Sequence, residues 1–364
     1  MTLHILIGTK AELIKMAGVL KELDRQKIKY NFVHTGQHTK KGLELIKIFG
    51  LKKPDLWITK RKEDLKTPSE ALIWAAKGVI KGKFSGIFKK GDIIVVHGDT
   101  ESTLMGAVIA KLCGCKLMHV EGGLRSFDIF NPFPEEINRR ITDRFSSVIF
   151  CPDEWACSNV QKYKNKAEII NLGINPVIDA INFSIGKTKP ASIPKGKYSI
   201  LMLHRKETLY VKNKLNIALD ILEKIINKMP TIFILSKNSE HVLKKVGFLD
   251  KIKNNPNVMI RDYYDYVTFM SLVNKSEFVA ADSGGIQEET YLINKPYLIL
   301  REKTERQEGL GETALLSKLD INKVNYFLDN YKKFRRKKKI GKASPSKIIV
   351  KKLKEVLANE SSKN

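Results

Sequence analysis

The chain has 364 residues, 43% of them hydrophobic and 29% charged, which is typical of a globular protein with two domains. Its formal net charge of +26 admits nucleic acid or an anionic membrane as a partner. However, Lys and Arg are spread along the chain, and no nucleic-acid motif accompanies the densest run, residues 330–347. We therefore interpret the charge as a solvated surface that attracts an anionic ligand, and we expect neither nucleic-acid binding nor membrane insertion.

The amino terminus begins with a short apolar run, HILIG, that no basic region precedes. We interpret it as a first β-strand rather than a signal peptide, and no later run approaches the roughly 18 apolar residues of a membrane span. We therefore expect a cytoplasmic protein. The four cysteines, Cys113, Cys115, Cys151 and Cys157, have no zinc-ligand spacing, and we expect them to be reduced.

Short apolar, β-branched runs alternate with segments of helical periodicity. In the first half, strands are predicted at HILIG, YNFVHTG, DIIVVHGD, KLMHVEGG, SVIFCPD and EIINLG, with helices at residues 11–26 and 102–114 and another that begins near Pro134. In the second half, strands are predicted at YSILMLH, TIFILSK, NVMIRD, EFVAADSGG and YLILR. This alternation is typical of doubly wound parallel sheets.

The two halves are separated by residues 182–199, a segment rich in Gly, Pro, Ser and Lys that we interpret as a linker. We predict an N-terminal Rossmann-like domain over residues 1–181, a C-terminal Rossmann-like domain over 199–343, and a helix and tail over 344–364 that packs back on the first domain. Ligands of such sheets bind at the carboxyl ends of the strands. We therefore expect a substrate cleft between the two domains.

The clearest anion signal is Ser283-Gly284-Gly285, which follows a predicted strand and opens a helix. Free backbone N–H groups at a helix start favour a phosphate, and glycine lets it approach. Glu288 or Glu289 could then reach ribose hydroxyls, and Arg205, Arg301 and Arg306 lie near the same edge. The alternative interpretation is an ordinary capped helix with acids in its first turn.

Three acids stand out in the first half: Asp99, Glu121 and Glu135. For Asp99 the alternative is a helix cap, a role that Thr100 could also fill, and for Glu135 it is interaction with a helix dipole. Arg139 lies one turn after Glu135 on the same face of the predicted helix and could hold that carboxyl ionised. Carboxylates in one domain and an arginine- and glycine-rich phosphate pocket in the other fit the chemistry of a sugar nucleotide.

The motifs GTKAELIKM, HTGQH, HGDTESTL, VEGGLRSFD, PFPEEINRR, DSGGIQEE, KPYLILREKTERQE and GKAS occur in this order. Together they resemble the non-hydrolysing UDP-N-acetylglucosamine 2-epimerases. The resemblance implies a GT-B-like fold and interconversion of UDP-N-acetylglucosamine and UDP-N-acetylmannosamine through an enzyme-bound 2-acetamidoglucal, without a metal or nicotinamide cofactor. We also expect a homodimer.

The resemblance assigns a role to individual positions of this chain. It implies catalytic roles for Asp99, Glu121, Glu135 and His204, and sugar or pyrophosphate binding by Lys10, Lys15 and Arg139. It further implies UDP binding by Ser283, Gly284, Gly285 and Glu289, with Arg205 and Arg306 nearby.

The chain departs from the family pattern at several motifs. Leu203 stands where the family has the glycine of GHR, Lys10 replaces an arginine, and Gln307 replaces a proline. Lys40 and Lys237 replace a Gln and a His through which some bacterial members bind a second, activating UDP-sugar. The alternatives are a 2-epimerase of a related UDP-2-acetamido sugar, a hydrolysing 2-epimerase, a GT-B glycosyltransferase, and a basic binding protein with no active cleft.

Overall fold

The computed structural model describes residues 1–59, 68–129, 133–185, 196–304, 306–336 and 344–361. The chain divides into two compact units, one formed by Met1–Ala180 with Lys342–Asn364 and the other by Ile181–Gly341. Each unit contains a parallel sheet with helices between its strands. The predicted α/β class with two Rossmann-like domains is therefore confirmed.

The first unit contains a seven-stranded sheet in the order β3-β2-β1-β4-β5-β6-β7. Its strands are β1 (Leu3–Ile7), β2 (Asn31–His34), β3 (Leu56–Trp57), β4 (Ile93–His97), β5 (Lys116–Val120), β6 (Val148–Cys151) and β7 (Glu168–Asn171). Its helices are α1 (Lys10–Arg25), α2 (Thr39–Phe49), α3 (Pro68–Phe84), α4 (Glu101–Cys113), α5 (Glu135–Phe145) and α6 (Glu154–Val160). Helix α7 (Val177–Ile185) leads into the second unit.

The second unit contains a six-stranded sheet in the order β10-β9-β8-β11-β12-β13. Its strands are β8 (Ser199–Met202), β9 (Thr231–Ile234), β10 (Val258–Arg261), β11 (Val279–Ala281), β12 (Tyr297–Ile299) and β13 (Ala314–Leu316). Its helices are α8 (Lys206–Leu209), α9 (Lys212–Lys228), α10 (Lys237–Lys245), α11 (Phe248–Ile252), α12 (Tyr266–Lys275), α13 (Gly284–Leu292) and α14 (Ile321–Asn330). Helix α15 (Pro345–Ser361) returns to the first unit and packs against α1.

The strands and helices follow from the pattern of apolar residues. All residues of β1 and β4 are buried, as expected for parallel strands covered on both faces. Helix α1 buries Leu13, Met16, Ala17 and Leu20, which share one helical face. At its start, Thr9 and Glu12 form a capping box that satisfies backbone N–H groups which have no partner within the helix.

The structure corrects and extends some predicted boundaries. Helix α7 continues through Ile185 into the segment interpreted as a linker, and residues 186–195 lie outside the described ranges. Strands β3 and β13 were not predicted. Most of the GKAS motif, residues 341–343, also lies outside the described ranges. All four cysteines are free thiols, as predicted.

In each sheet the order of the strands reverses at one position. This position lies between β1 and β4 in the first unit and between β8 and β11 in the second. At such a switch point the loops leave neighbouring strands on opposite sides, which opens a crevice at the carboxyl edge. The residues after these four strands are therefore the natural place for a ligand site in each unit. Within the described ranges, no helix combines the length and apolar character needed to cross a bilayer.

Candidate active site

The loops at the switch point of the first unit are joined by Glu12, a residue that was not singled out from the sequence. Its carboxylate accepts hydrogen bonds from Gly8 N at 2.6 Å and Thr9 N at 2.9 Å, and from the hydroxyls of Thr100 and Thr103. Glu12 is buried, and burial raises its pKa. Two of these donors lie in the loop after β1 and two at the start of α4, so Glu12 holds the two segments together.

Glu121 lies directly after β5 and carries two basic partners. Lys15 Nζ donates to both carboxylate oxygens, at 2.7 and 2.6 Å, and His97 Nε2 lies 2.9 Å from Oε2. Burial opposes ionisation of Glu121, but Lys15 and His97 outweigh it and hold its pKa well below the usual range. Its backbone φ of 67° is left-handed, a conformation that turns the chain sharply at the strand end.

Asp99 is a partner of Arg139 and not a helix cap. Thr100 is the N-cap of α4 and accepts a hydrogen bond from Thr103 N, while the Asp99 carboxylate accepts one from the Arg139 guanidinium. Asn138, on α5 beside Arg139, donates to the backbone carbonyl of Asp99 at 2.9 Å. The start of α5 therefore holds the loop that carries Asp99.

Glu135 begins α5 and differs from the other acids in its surroundings. Burial raises its pKa and the charges of Asp99 and Glu101 add to this, while a hydrogen bond from its own backbone N–H and the charge of Arg139 oppose the rise without cancelling it. Its Oε2 is buried and makes no hydrogen bond within the described part of the chain. The expectation that Arg139 holds Glu135 ionised is therefore wrong, because Arg139 pairs with Asp99 and lies 3.6 Å from Glu136. One turn after Glu136 along the helix, Arg140 Nε pairs with Glu136 Oε1 at 2.8 Å.

Lys10 lies at the exposed start of α1, where its backbone N–H donates to His38 Nδ1 at 3.4 Å. His38 belongs to the HTGQH loop after β2. In the same loop, the Gln37 amide donates to Glu101 at 2.7 Å and accepts from Ser102 at 2.6 Å. The structure thus brings Lys10, Lys15, Asp99, Glu121, Glu135 and Arg139 to the carboxyl edge of one sheet.

In the second unit, His204 follows β8 and lies against Asp282, which follows β11. His204 Nδ1 is 2.7 Å from Asp282 Oδ1, while Oδ2 accepts from the backbone N–H groups of His204 at 2.9 Å and Arg205 at 2.7 Å. Asp282 therefore fixes the start of the loop after β8 through two backbone N–H groups and orients the His204 ring through Nδ1. Asp282 was not predicted as a site residue.

Ser283, Gly284 and Gly285 form the start of α13, as predicted. Ser283 is the N-cap residue, and its hydroxyl makes no capping hydrogen bond. Gly285 is exposed, and a Cβ built on it would meet no atom within 4 Å. The start of this helix therefore lacks a side-chain cap and has open space beside Gly285, two features that an anion site at a helix start requires.

The acids of α13 have separate environments. Glu288 is buried and pairs with Arg306 at 3.0 Å, so its carboxylate is already engaged. Gln287 is also buried, and its amide donates to the carbonyls of Arg306 and Glu308, which fixes the loop that presents Arg306. Glu289 is partly exposed and raises the pKa of the buried Tyr266, after the larger effect of burial. Of the two predicted ribose ligands, Glu289 is the more accessible.

The site residues that were not predicted from the sequence share one property: each contacts a residue that is distant in the chain. His97 ends β4 and Asp282 directly follows β11. Each contacts a residue that follows the neighbouring strand, Glu121 in the first case and His204 in the second. Their position at strand ends was visible in the sequence. The pairing was not, because it depends on the order of strands in the sheet.

The protein has a GT-B-like fold of two Rossmann-like units. The candidate acids lie at the strand edge of the first unit, and the helix start with open space beside it lies in the second. A family model described as UDP-N-acetylglucosamine 2-epimerase matches residues 21–352. The chain belongs to this UDP-N-acetylglucosamine 2-epimerase family.

Individual relatives agree with the family assignment. The chain is 33% identical to UDP-N-acetylglucosamine 2-epimerase of Methanococcus maripaludis, over 84% of each chain. It is also 30% identical to UDP-2,3-diacetamido-2,3-dideoxy-D-glucuronate 2-epimerase of Pseudomonas aeruginosa, over 84% of each chain.

Among solved structures, it is similar to the UDP-GlcNAc 2-epimerase of Methanocaldococcus jannaschii, with a TM-score of 0.83 and 29% identity, over 98% of this chain and 100% of the other. A complex of the M. jannaschii enzyme with UDP-GlcNAc and UDP matches with a TM-score of 0.77 and 28% identity, over the same shares.

Proposed function

We propose that the protein is a non-hydrolysing epimerase that interconverts UDP-N-acetylglucosamine and UDP-N-acetylmannosamine. UDP is eliminated to give an enzyme-bound 2-acetamidoglucal and then adds back. The family membership supports the substrate class, as does the complex of the M. jannaschii relative with UDP-GlcNAc and UDP. The observation that carries the proposal is the pair of contrasting carboxylates at one strand edge. Glu121 contacts Lys15 and His97, which lower its pKa, whereas Glu135 has a buried oxygen with no hydrogen bond in the described part of the chain and a raised pKa.

Inversion at C2 requires a proton to leave one face of the sugar and another to arrive at the opposite face. One group must therefore be ionised and a second protonated at the same pH. Lys15 and His97 favour the ionised form of Glu121, the form that a base requires, while burial and neighbouring acids raise the pKa of Glu135 and so favour the protonated form that an acid requires. Asp99 contributes by raising the pKa of Glu135.

The electrons balance without a redox step. Glu121 takes the C2 proton, the C2–H electron pair forms the C1–C2 double bond, and the C1–O pair departs with UDP. In the return step Glu135 gives its proton to the opposite face of C2, and a UDP oxygen attacks C1. The C2 proton is not acidic in the substrate, because no carbonyl is attached to that carbon, so departure of UDP must accompany its loss.

The proposed role of the second unit is to bind the leaving diphosphate. The start of α13 at Ser283, Gly284 and Gly285 would supply backbone donors, and Glu289 the ribose contact. His204, oriented by Asp282, would serve the diphosphate through Nε2. Further cationic support would come from Arg205, Arg306, Lys10, Lys15 and Arg139.

Incubation with UDP-N-acetylglucosamine in D2O, followed by NMR, tests the proposal. We expect deuterium at C2 of both UDP-sugars, because Glu121 and Glu135 exchange their protons with solvent between turnovers. UDP should not accumulate. Absence of C2 exchange would overturn the function, and accumulation of UDP with free N-acetylmannosamine would show a hydrolysing enzyme instead.

A related sugar is a second candidate because of the P. aeruginosa relative, whose name specifies a diacetamido glucuronate. The two substrates differ at C3 and C6, where the acids around C2 do not discriminate. Parallel measurement of kcat/KM with both UDP-sugars decides between them. A higher value for the glucuronate would transfer the proposal to that substrate.

We also propose that the chain forms a homodimer through α3. Ile73, Ile80 and Phe84 are 57%, 60% and 81% exposed, and their spacing places them on one face of the helix. Contiguous exposed apolar side chains mark interaction surfaces. Light scattering should show a dimer, and Ile80→Asp with Phe84→Asp should give a monomer. A wild-type monomer at micromolar concentration would contradict this assignment.

A further inference from the structure

Three fully or nearly fully buried side chains beneath the acids form a network that the proposed chemistry does not use. His119 lies in β5, Arg125 in the loop that follows it, and Asp143 on α5; their side chains are 0%, 4% and 0% exposed. We call this set, His119, Arg125 and Asp143, the buried triad. Charged groups at this depth require a full set of partners.

Each member of the buried triad contacts a different part of the site. His119 Nε2 lies 2.8 Å from the Gly98 carbonyl, and Nδ1 lies 2.7 Å from Asp143 Oδ1. The other Asp143 oxygen accepts from Arg125 at 2.6 Å and from Gly123 N at 3.3 Å. The triad therefore connects the loop after β4, the loop after β5 and helix α5.

These three segments each carry one of the proposed catalytic acids. Asp99 directly follows Gly98, Glu121 lies between His119 and Gly123, and Glu135 lies on α5 with Asp143. Gly122 is required for the close approach, since a Cβ there would lie 2.8 Å from Asp143 Oδ1 and 3.0 Å from His119 Nδ1.

Both ring nitrogens of His119 lie against acceptors. The Gly98 carbonyl oxygen only accepts hydrogen bonds. Asp143 accepts from a guanidinium and a backbone N–H, and its pKa is low because His119 and Arg125 outweigh the effect of burial. The His119 ring therefore bridges two buried acceptors that belong to different segments, Gly98 and Asp143.

We propose that His119, Arg125 and Asp143 are positioning residues, which hold the segments of Asp99, Glu121 and Glu135 in the arrangement that proton transfer on both faces of C2 requires. This inference rests on the proposed function. None of the three touches the reacting atoms in this scheme. Displacement of a catalytic group by about 1 Å costs on the order of 100-fold in rate, so such a network acts on kcat.

The chain offers a matched control in the same unit. His4 is buried in β1 and its Nε2 lies 3.3 Å from Asp92 Oδ2, a pair of the same type. Asp92 precedes β4, at the amino edge of the sheet and away from the acids. His4→Gln therefore reports the loss of stability that follows from breaking a buried His–Asp pair alone.

Kinetics of His119→Gln and His119→Asn separate positioning from stability. The Gln amide reaches the Gly98 carbonyl in place of Nε2, whereas the shorter Asn amide reaches only Asp143. We expect kcat to fall by about 10- to 100-fold in His119→Asn, to fall less in His119→Gln, and KM to stay within about threefold in both. His4→Gln should lose thermal stability and keep its kcat. Equal kcat in the wild type and both His119 variants would overturn the inference.

A spectroscopic measurement tests the triad independently of kinetics. In ¹⁵N-histidine-labelled wild type, one histidine should show a hydrogen-bonded ring N–H that exchanges slowly with solvent, and this signal should be absent from His119→Gln. If the two proteins show the same set of slowly exchanging ring N–H signals, the hydrogen-bond network is wrong. If the signal is specific to the wild type but the wild type gives no C2 exchange in D2O, the proposed function fails while the triad itself stands.

Discussion

At the scale of single residues, the charge of each acid is decided by its neighbours rather than by its type. Glu121 and Glu135 are both partly or fully shielded from solvent, which alone raises a carboxyl pKa. Lys15 contacts Glu121 directly, and this reverses the effect of burial. Arg139 is turned towards Asp99, and Glu135 is left without an equivalent partner.

Replacement of Glu135 by Gln should abolish turnover and should not lower stability. The raised pKa of Glu135 means that its contribution favours folding at pH values below the ordinary Glu range and is lost as pH rises through the raised value. At about pH 8, Gln removes a carboxylate that the fold disfavours. We expect Glu135→Gln to melt at or above the wild-type temperature there, with the difference shrinking towards about pH 4. A clearly lower melting temperature at about pH 8 would contradict the assigned environment.

Replacement of Lys15 by Met should destabilise the first unit by about 3 kcal/mol at neutral pH, since it leaves a buried carboxylate without its main partner. The depressed pKa of Glu121 contributes stability above the ordinary Glu range, which is lost as pH falls through the folded-state value. The loss in Lys15→Met should therefore diminish in acid.

The double variant Lys15→Met/Glu121→Gln provides the control. It removes the carboxylate as well as its partner and should recover most of the lost stability at neutral pH. Denaturant unfolding of the wild type, both single variants and the double variant gives the coupling. A double variant no more stable than Lys15→Met would show that the pair itself contributes little.

At the scale of elements, the sequence located most strands and the loops that follow them. The predicted strands agree with β1, β2 and β4 to β12, because buried parallel strands are continuous apolar runs. Strands β3 and β13 have two and three residues, too few for a periodic pattern. Pairs such as His97 with Glu121 arise only when β4 and β5 become neighbours, which local patterns do not encode.

Helix α13 yields a prediction that separates binding from stability. Gly285 lies in the first turn with open space beside it, so Ala fits without a clash. Ala is favoured over Gly in a helix by up to about 1 kcal/mol, so Gly285→Ala should raise stability. The added methyl group would occupy the space that a phosphate needs, and UDP affinity should fall. Calorimetric titration with UDP measures this, and unchanged affinity would remove Gly285 from the proposed anion site.

At the scale of the whole molecule, two units with no detectable sequence repeat have the same arrangement of strands around a switch point. In each, the residues after the two central strands carry the candidate chemistry: Thr9 to Lys15 and Asp99 in the first, His204 and Asp282 in the second. Topology rather than local sequence therefore determines where function can reside.

Regulation by a second UDP-sugar is expected to be weak or absent. In this chain Lys237 is exposed at the start of α10, and Lys40, whose side chain lies outside the described part of the structure, stands in α2. The Gln37 amide is already engaged with Glu101 and Ser102. A lysine can attract a phosphate, but as a mobile point charge without the directed hydrogen bonds of an amide or imidazole.

The reverse reaction, from UDP-N-acetylmannosamine alone, should therefore begin without a lag. Progress curves with and without a trace of UDP-N-acetylglucosamine measure this directly. The double variant Lys40→Gln/Lys237→His restores the replaced side chains and serves as the comparison; any activation by the trace sugar should be larger there than in the wild type. A wild-type reaction that waits for the trace, or a sigmoidal dependence on UDP-N-acetylglucosamine, would mean that a second site functions with lysine at both positions.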